Sequence, residues 1–271
     1  MGILRLISVA DILTAGNAIC GVLAIWFLYW LQPDITIGSS LIIIAIIFDG
    51  LDGLAARKFG TKHDYGKYLD SIADAISFGL APAFLFFIIF SGVGERGNLA
   101  EVQIFIVSVA TILIAGCAVY RLIKFSMEGF RYEYFAGLAT PAFAFLIVIT
   151  AHVLDPHRSE NDYMIIPFFA SALILFGNYL LISNVKYPKV RGRSAVYLAS
   201  AFILALLSLM LIKTFALFDE DIIYIYYRTL SIIALITVAG YVILGPVYLW
   251  MVTSNKSSEK TKEKNKNQSR K

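Results

Sequence analysis

The sequence predicts an all-α, polytopic integral membrane protein with about eight transmembrane helices and both termini in the cytoplasm. Three observations predict it. Of 271 residues, 59% are hydrophobic and only 15% charged, with a mean hydropathy of +0.75, whereas soluble domains run near roughly 45–50% apolar and 25% charged. The apolar residues fall in long blocks, and about 20 residues is what a helix needs to cross a hydrocarbon core of roughly 30 Å. Lys and Arg segregate to alternate loops, the bias that sets orientation.

The first block, 10–31, follows Arg5; it shows no small-residue cleavage site and is long enough to span, so it reads as a retained helix. The second, 36–55, leads into Arg57, Lys58, Lys62 and Lys67. The third, 69–91, stops at Gly92, Gly94, Glu95 and Arg96, and the fourth, 101–125, ends on Arg121 and Lys124, with Arg131 beyond. Blocks 137–154 and 163–183 are separated by Asp155, Pro156, Arg158, Glu160 and Asp162, after which Lys186, Lys189, Arg191 and Arg193 form a basic loop. Blocks 195–217 and 222–252 flank Asp219, Glu220 and Asp221, and the last is long enough to tilt.

The basic loops therefore lie on one side, together with a tail carrying Lys256, Lys260, Lys262, Lys264, Lys266, Arg270 and Lys271. The net charge of +4 is mostly this asymmetry and does not point to nucleic acid. Residues 1–252 read as one membrane domain. Residues 253–271 read as a disordered cytoplasmic tail, drawn to anionic headgroups at about 1 kcal/mol per basic residue. Cys20 and Cys117 fall within predicted spans and read as packing residues rather than a disulfide.

The chemistry concentrates in residues 46–82, IIFDGLDGLAARKFGTKHDYGKYLDSIADAISFGLAP. Asp49, Asp52 and Ala56 stand at i, i+3 and i+7 on one helix face, with Gly53 and Arg57 beside it; Gly66, Asp70, Asp74 and Phe78 stand at intervals of four on the next helix. Two antiparallel helices can turn these stripes toward each other. A charge at the bilayer centre costs about 2.5–3.5 kcal/mol on insertion scales, so four close aspartates call for compensating cations. Carboxylate-only ligation suits hard divalent ions such as Mg²⁺ or Mn²⁺, in a two-metal site with spacing of about 3.5–4 Å, an arrangement that favours phosphoryl transfer. Gly53, Ala56 and Gly66 would let a base or ribose approach the backbone, although small residues also serve helix packing in membranes.

The pattern Asp49-x2-Asp52-Gly53-x2-Ala56-Arg57-x8-Gly66-x3-Asp70-x3-Asp74 resembles the signature of the CDP-alcohol phosphotransferase family, with every position met. The resemblance implies transfer of a phosphatidyl-type group from a CDP-activated lipid to an alcohol, with release of CMP. It implies Asp49, Asp52 and Asp70 as ligands of the metal pair, with Asp74 as general base while also near the metals. Gly53, Ala56 and Arg57 would contact the CDP moiety, the core would have six spans, and the protein would form a homodimer.

The run Asp70 to Pro82 is similar to the form this motif takes in the CDP-lipid-dependent serine transferases, as are Thr14 with Asn17 to Gly21, Arg121 to Phe125, and Ser183 to Pro188. L-serine is therefore the expected acceptor. Its carboxylate needs a cation, and Arg121 and Lys186 are candidates, although both also fit as ordinary positive-inside residues. Ser71 and Ser77 lie near the acidic stripe as further acceptor candidates. Thr14 and Asn17 are placed to reach the CDP-lipid, and interhelical hydrogen bonding explains them equally well. Other acceptors, namely inositol phosphate, glycerol phosphate or choline, remain open because Lys124, Arg131, Lys186 and Arg193 could bind a phosphate. An ion-coupled transporter is the remote alternative, disfavoured because the acids sit at helix ends rather than at the midplane.

Overall fold

The structure is a computed structural model that describes residues 8–31, 35–59, 64–91, 100–128, 134–154, 165–188, 207, 228–248 and 250. Helix α1 (Val9–Trp30) is followed by α2 (Thr36–Phe59) and α3 (Asp64–Asp74); α3 runs through a π-helical turn (Ala75–Leu80) into α4 (Ala81–Ser91). Then come α5 (Ala100–Glu128), α6 (Thr140–Val153), α7 (Ile166–Ile182) and α8 (Arg228–Tyr248). Among the described residues, five helical segments are long and apolar enough to cross a membrane: Val9–Trp30, Thr36–Ala56, Tyr68–Ser91, Glu101–Met127 and Arg228–Tyr248. Helices α6 and α7 are apolar but shorter. The expected block 195–217 lies, apart from residue 207, outside the described residues, as does the tail 253–271. The protein is a multi-pass membrane protein.

Local chemistry starts α1 cleanly. Ser8 Oγ accepts from the Ala10 N–H at 3.2 Å while Asp11 Oδ2 accepts from the Ser8 N–H at 2.9 Å, a reciprocal cap that satisfies donors the first turn cannot. Bulky side chains fill the interior: Ile42 and Ile43 of α2, Phe78 of the π turn, Leu85, Phe86 and Phe90 of α4, Ile114 of α5, and Phe143 of α6 are fully buried. Helix α6 is an inside helix, buried almost continuously from Phe143 to His152. By contrast α1 exposes Ile19, Trp26 and Trp30, and α5 exposes Phe105, Ile112 and Tyr120. Apolar surface turned outward at this density is what lipid, not water, tolerates.

One feature departs from an all-α chain. Strands β1 (Tyr134–Ala136) and β2 (Lys186–Pro188) pair antiparallel, with Phe135 opposite Tyr187 and Ala136 opposite Lys186. Their pairing depends on Gly137, whose φ of 77° lies in the left-handed region and whose absent Cβ would meet the Leu181 carbonyl oxygen at 2.5 Å. Gly137 N–H donates to Val185 O at 2.8 Å and Leu138 N–H to Leu180 O at 3.1 Å. The start of α6 is thereby tied to the end of α7. Thr14 meets Asp52 and Arg121 meets both Thr140 and the field of Asp74, so the start of α1, the ends of α2 and α5, and the start of α6 share one end of the bundle.

Candidate active site

Aspartates brought to helix ends by local spacing converge in three dimensions. Asp49 of α2 and Asp70 and Asp74 of α3 each offer a carboxylate oxygen within 4.8 Å of the others. Asp70 Oδ1 is buried and has no hydrogen-bond partner. Asp52 is not in this trio but lies close enough to repel all three. It is 7% exposed, and its Oδ2 accepts from Thr14 Oγ1 at 2.9 Å. The Thr14 hydroxyl also lies 3.0 Å from Ala10 O, so its single proton serves one acceptor at a time.

The donor set fits divalent cations. At an effective dielectric of about 20, unit charges 4.8 Å apart repel by about 3.5 kcal/mol, so three ionised pairs would cost about 10 kcal/mol, on the order of a whole folding free energy. Positive charge between the carboxylates removes that cost. Oxygen-only donors, one of them buried without a partner, are the ligands that hard divalent ions take.

Around the acids, the other expected residues separate. Gly53 is beside Asp52 on α2, and a Cβ there would meet nothing within 4 Å. Helix packing among the described residues therefore does not demand glycine at this position. Ala56 is half-buried one turn further on. Gly66 faces the start of α1, where a Cβ would lie 3.6 Å from Asp11 Oδ1. The side chain of Arg57 lies outside the described residues.

Asn17 is fully buried, and its Nδ2 donates to Asp74 Oδ1 at 3.0 Å. Thr14 and Asn17 thus engage carboxylates directly. Ser77 is also fully buried, donating to the Asn17 backbone carbonyl at 2.8 Å, so its hydroxyl does not open toward an acceptor. Ser71 Oγ lies 3.0 Å from Ser126 Oγ of α5 on an exposed surface.

Arg121 projects from α5 toward the acids and interacts electrostatically with Asp74. Its Nη1 donates to Thr140 Oγ1 at 2.6 Å, its guanidinium lies 6.0 Å from the centre of the Phe125 ring, and its Nε is buried without a partner. Thr140, the first residue of α6, is a site residue that sequence reasoning missed. Lys186 is exposed on β2, and the nearby Lys124 Nζ donates to Asn184 Oδ1 at 2.9 Å.

This constellation of acids, small residues and one anchored guanidinium coincides with a family-wide match. The profile of CDP-alcohol phosphatidyltransferases matches residues 7–185. The chain belongs to that family. Among curated proteins it is 36% identical over 194 residues to the CDP-diacylglycerol–serine O-phosphatidyltransferase of Methanocaldococcus jannaschii, covering 72% of this chain and 80% of that one. It is 31% identical over 191 residues to the archaetidylserine synthase of Methanothermobacter thermautotrophicus, covering 70% and 73%. The CDP-diacylglycerol–serine O-phosphatidyltransferase of Bacillus subtilis is 30% identical over 189 residues, covering 69% and 94%. The CDP-alcohol phosphatidyltransferase match begins just before α1 and ends just before β2, so it encloses Asp49, Asp52, Asp70, Asp74 and Arg121, and α8 lies beyond it.

Proposed function

We propose that this CDP-alcohol phosphatidyltransferase moves the phosphatidyl-type group of a CDP-activated lipid, CDP-diacylglycerol or CDP-archaeol, to the hydroxyl of L-serine. The observation that carries the reading is the convergence of Asp49, Asp70 and Asp74, with Asp52 alongside. The named relatives support serine as the acceptor. In this reading Asp49, Asp52 and Asp70, with Asp74 close by, hold two divalent cations. Mg²⁺ or Mn²⁺ bound there would neutralise the diphosphate and the charge that grows on the departing CMP.

The chain's own groups do the rest. Gly53, Ala56, Arg57 and Gly66 border the CDP moiety, and Arg121, fixed by Thr140, offers its free Nε–H to the serine carboxylate. Asp74 takes the proton as the serine oxygen bonds to the lipid-bearing phosphorus and the bridging P–O bond to CMP breaks. Holding both reactants against one set of acids makes the encounter effectively unimolecular. The proposal includes eight spans with both termini cytoplasmic, a site at the cytoplasmic face, a disordered tail over 253–271, and a homodimer.

The test is CMP release by purified protein supplied with CDP-lipid, Mg²⁺ or Mn²⁺, and one alcohol at a time. Serine should support release and yield the serine phospholipid. Release with inositol phosphate, glycerol phosphate or choline but not serine would overturn the acceptor, and full activity in Asp74→Asn would overturn the base.

A further inference from the structure

Helix α1 touches the acidic helix through a contact that neither the metal site nor the substrate site requires. Asn17 O already accepts the intrahelical bond expected from the N–H four residues on, that of Gly21. Its second lone pair takes the Ser77 hydroxyl at 2.8 Å. Gly21 makes that approach possible, because a Cβ there would lie 2.4 Å from Ser77 Oγ and 2.8 Å from Ser77 Cα. Ser77 belongs to the π turn that starts immediately after Asp74. A π turn is wider than an α turn and tends to occur at functional sites; here it carries the hydroxyl against α1. The Asn17 side chain closes the loop by donating Nδ2 to Asp74 Oδ1 at 3.0 Å. Asn17 and Ser77 are both 0% exposed, so neither hydroxyl nor amide is spent on solvent.

We infer that Asn17, Gly21 and Ser77 form a clamp between α1 and the π turn that positions the Asp74 carboxylate, occupying Oδ1 so that Oδ2 faces the incoming hydroxyl. These are positioning residues that act through Asp74. The inference deepens the proposed function and rests on Asp74 being the proton acceptor. It reassigns Ser77 away from acceptor binding and Asn17 away from the nucleotide.

The test compares Ser77→Ala, Asn17→Leu, Asn17→Gln and Asp74→Asn in the full-length protein, measuring CMP release against both CDP-lipid and serine concentration, with melting followed in parallel. Because angstrom-scale misplacement of a reacting group costs on the order of a hundredfold, kcat should fall about tenfold in Ser77→Ala and about a hundredfold in Asn17→Leu. Both KM values should hold within about twofold, and Asn17→Gln, which keeps an amide donor, should recover part of the loss. A merely structural contact would instead lower kcat only in step with the folded fraction. A rise in KM at constant kcat returns these residues to substrate binding and overturns the clamp, as does unchanged kcat in Ser77→Ala while Asp74→Asn is inactive. Wild-type activity in Asp74→Asn overturns the underlying base assignment instead. Should Ser77→Ala not purify folded, Ser77→Cys, similar in size but a weaker donor, carries the same comparison.

Discussion

Replacing Asp70 by Asn should stabilise the metal-free protein while removing its function. Asp70 shares a cluster with Asp49 and Asp74 in which each pair of contributing oxygens lies within 4.8 Å. Neutralising it removes its repulsion with both, about 7 kcal/mol at 4.8 Å and an effective dielectric of about 20, in addition to its repulsion with Asp52. Water and bound protons already screen part of this. The net gain should be a part of that figure, about 1–4 kcal/mol. At roughly 2–4 °C per kcal/mol, Tm in chelator rises by several degrees. The assay is thermal melting of purified protein in EDTA and across a Mn²⁺ or Mg²⁺ titration, with CMP release in parallel. Wild-type protein should gain stability with metal, and Asp70→Asn should gain little and release no CMP. A variant that melts no higher than wild type in EDTA, or that keeps the full metal-dependent rise, refutes the charge-cluster reasoning.

Arg121→Lys keeps the charge but loses the planar fork that reaches Thr140, so the serine KM should rise about tenfold with the CDP-lipid KM unchanged, measured by two-substrate kinetics. Thr14→Val preserves shape and removes the hydroxyl on Asp52, which should raise the Mn²⁺ concentration for half-maximal CMP release by about 10–100-fold. Gly177→Ala places a Cβ 2.6 Å from Phe143 Cε2 in the core and should cost about 1–3 kcal/mol of stability in a melting scan while leaving both KM values unchanged.

Much of this site is legible in the sequence because it is local. Asp49 and Asp52, and Asp70 and Asp74, reach common faces through helical spacing alone, and block length against bilayer thickness locates α1, α2, α4 and α5. What was not legible depends on partners distant in the chain. The π turn over Ala75–Leu80 has an ordinary helical composition, and it breaks the four-residue row that Phe78 was expected to continue. The fate of Ser77 follows from that wider turn and from Gly21, 56 residues away. The β1–β2 pair consists of three-residue strands separated by two helices, too short to leave a periodic signal. Asn17 and Thr14 could be recognised as polar residues wanting a partner; which carboxylate each would meet could not.

Depth is the remaining consequence of how α5 meets α6. Arg121 precedes the end of its apolar span at Met127 by six residues, about 9 Å of helical rise, and it is there that α6 begins with Thr140. Asp74 lies the same six residues inside the span that starts at Tyr68. Among the described residues, the short interior helix α6 thus begins inside the ends of both spans. On the proposed function, chemistry set at that depth has a kinetic benefit, suppression of hydrolysis, since water competes with serine for the same phosphorus and is held back where apolar helices limit its entry.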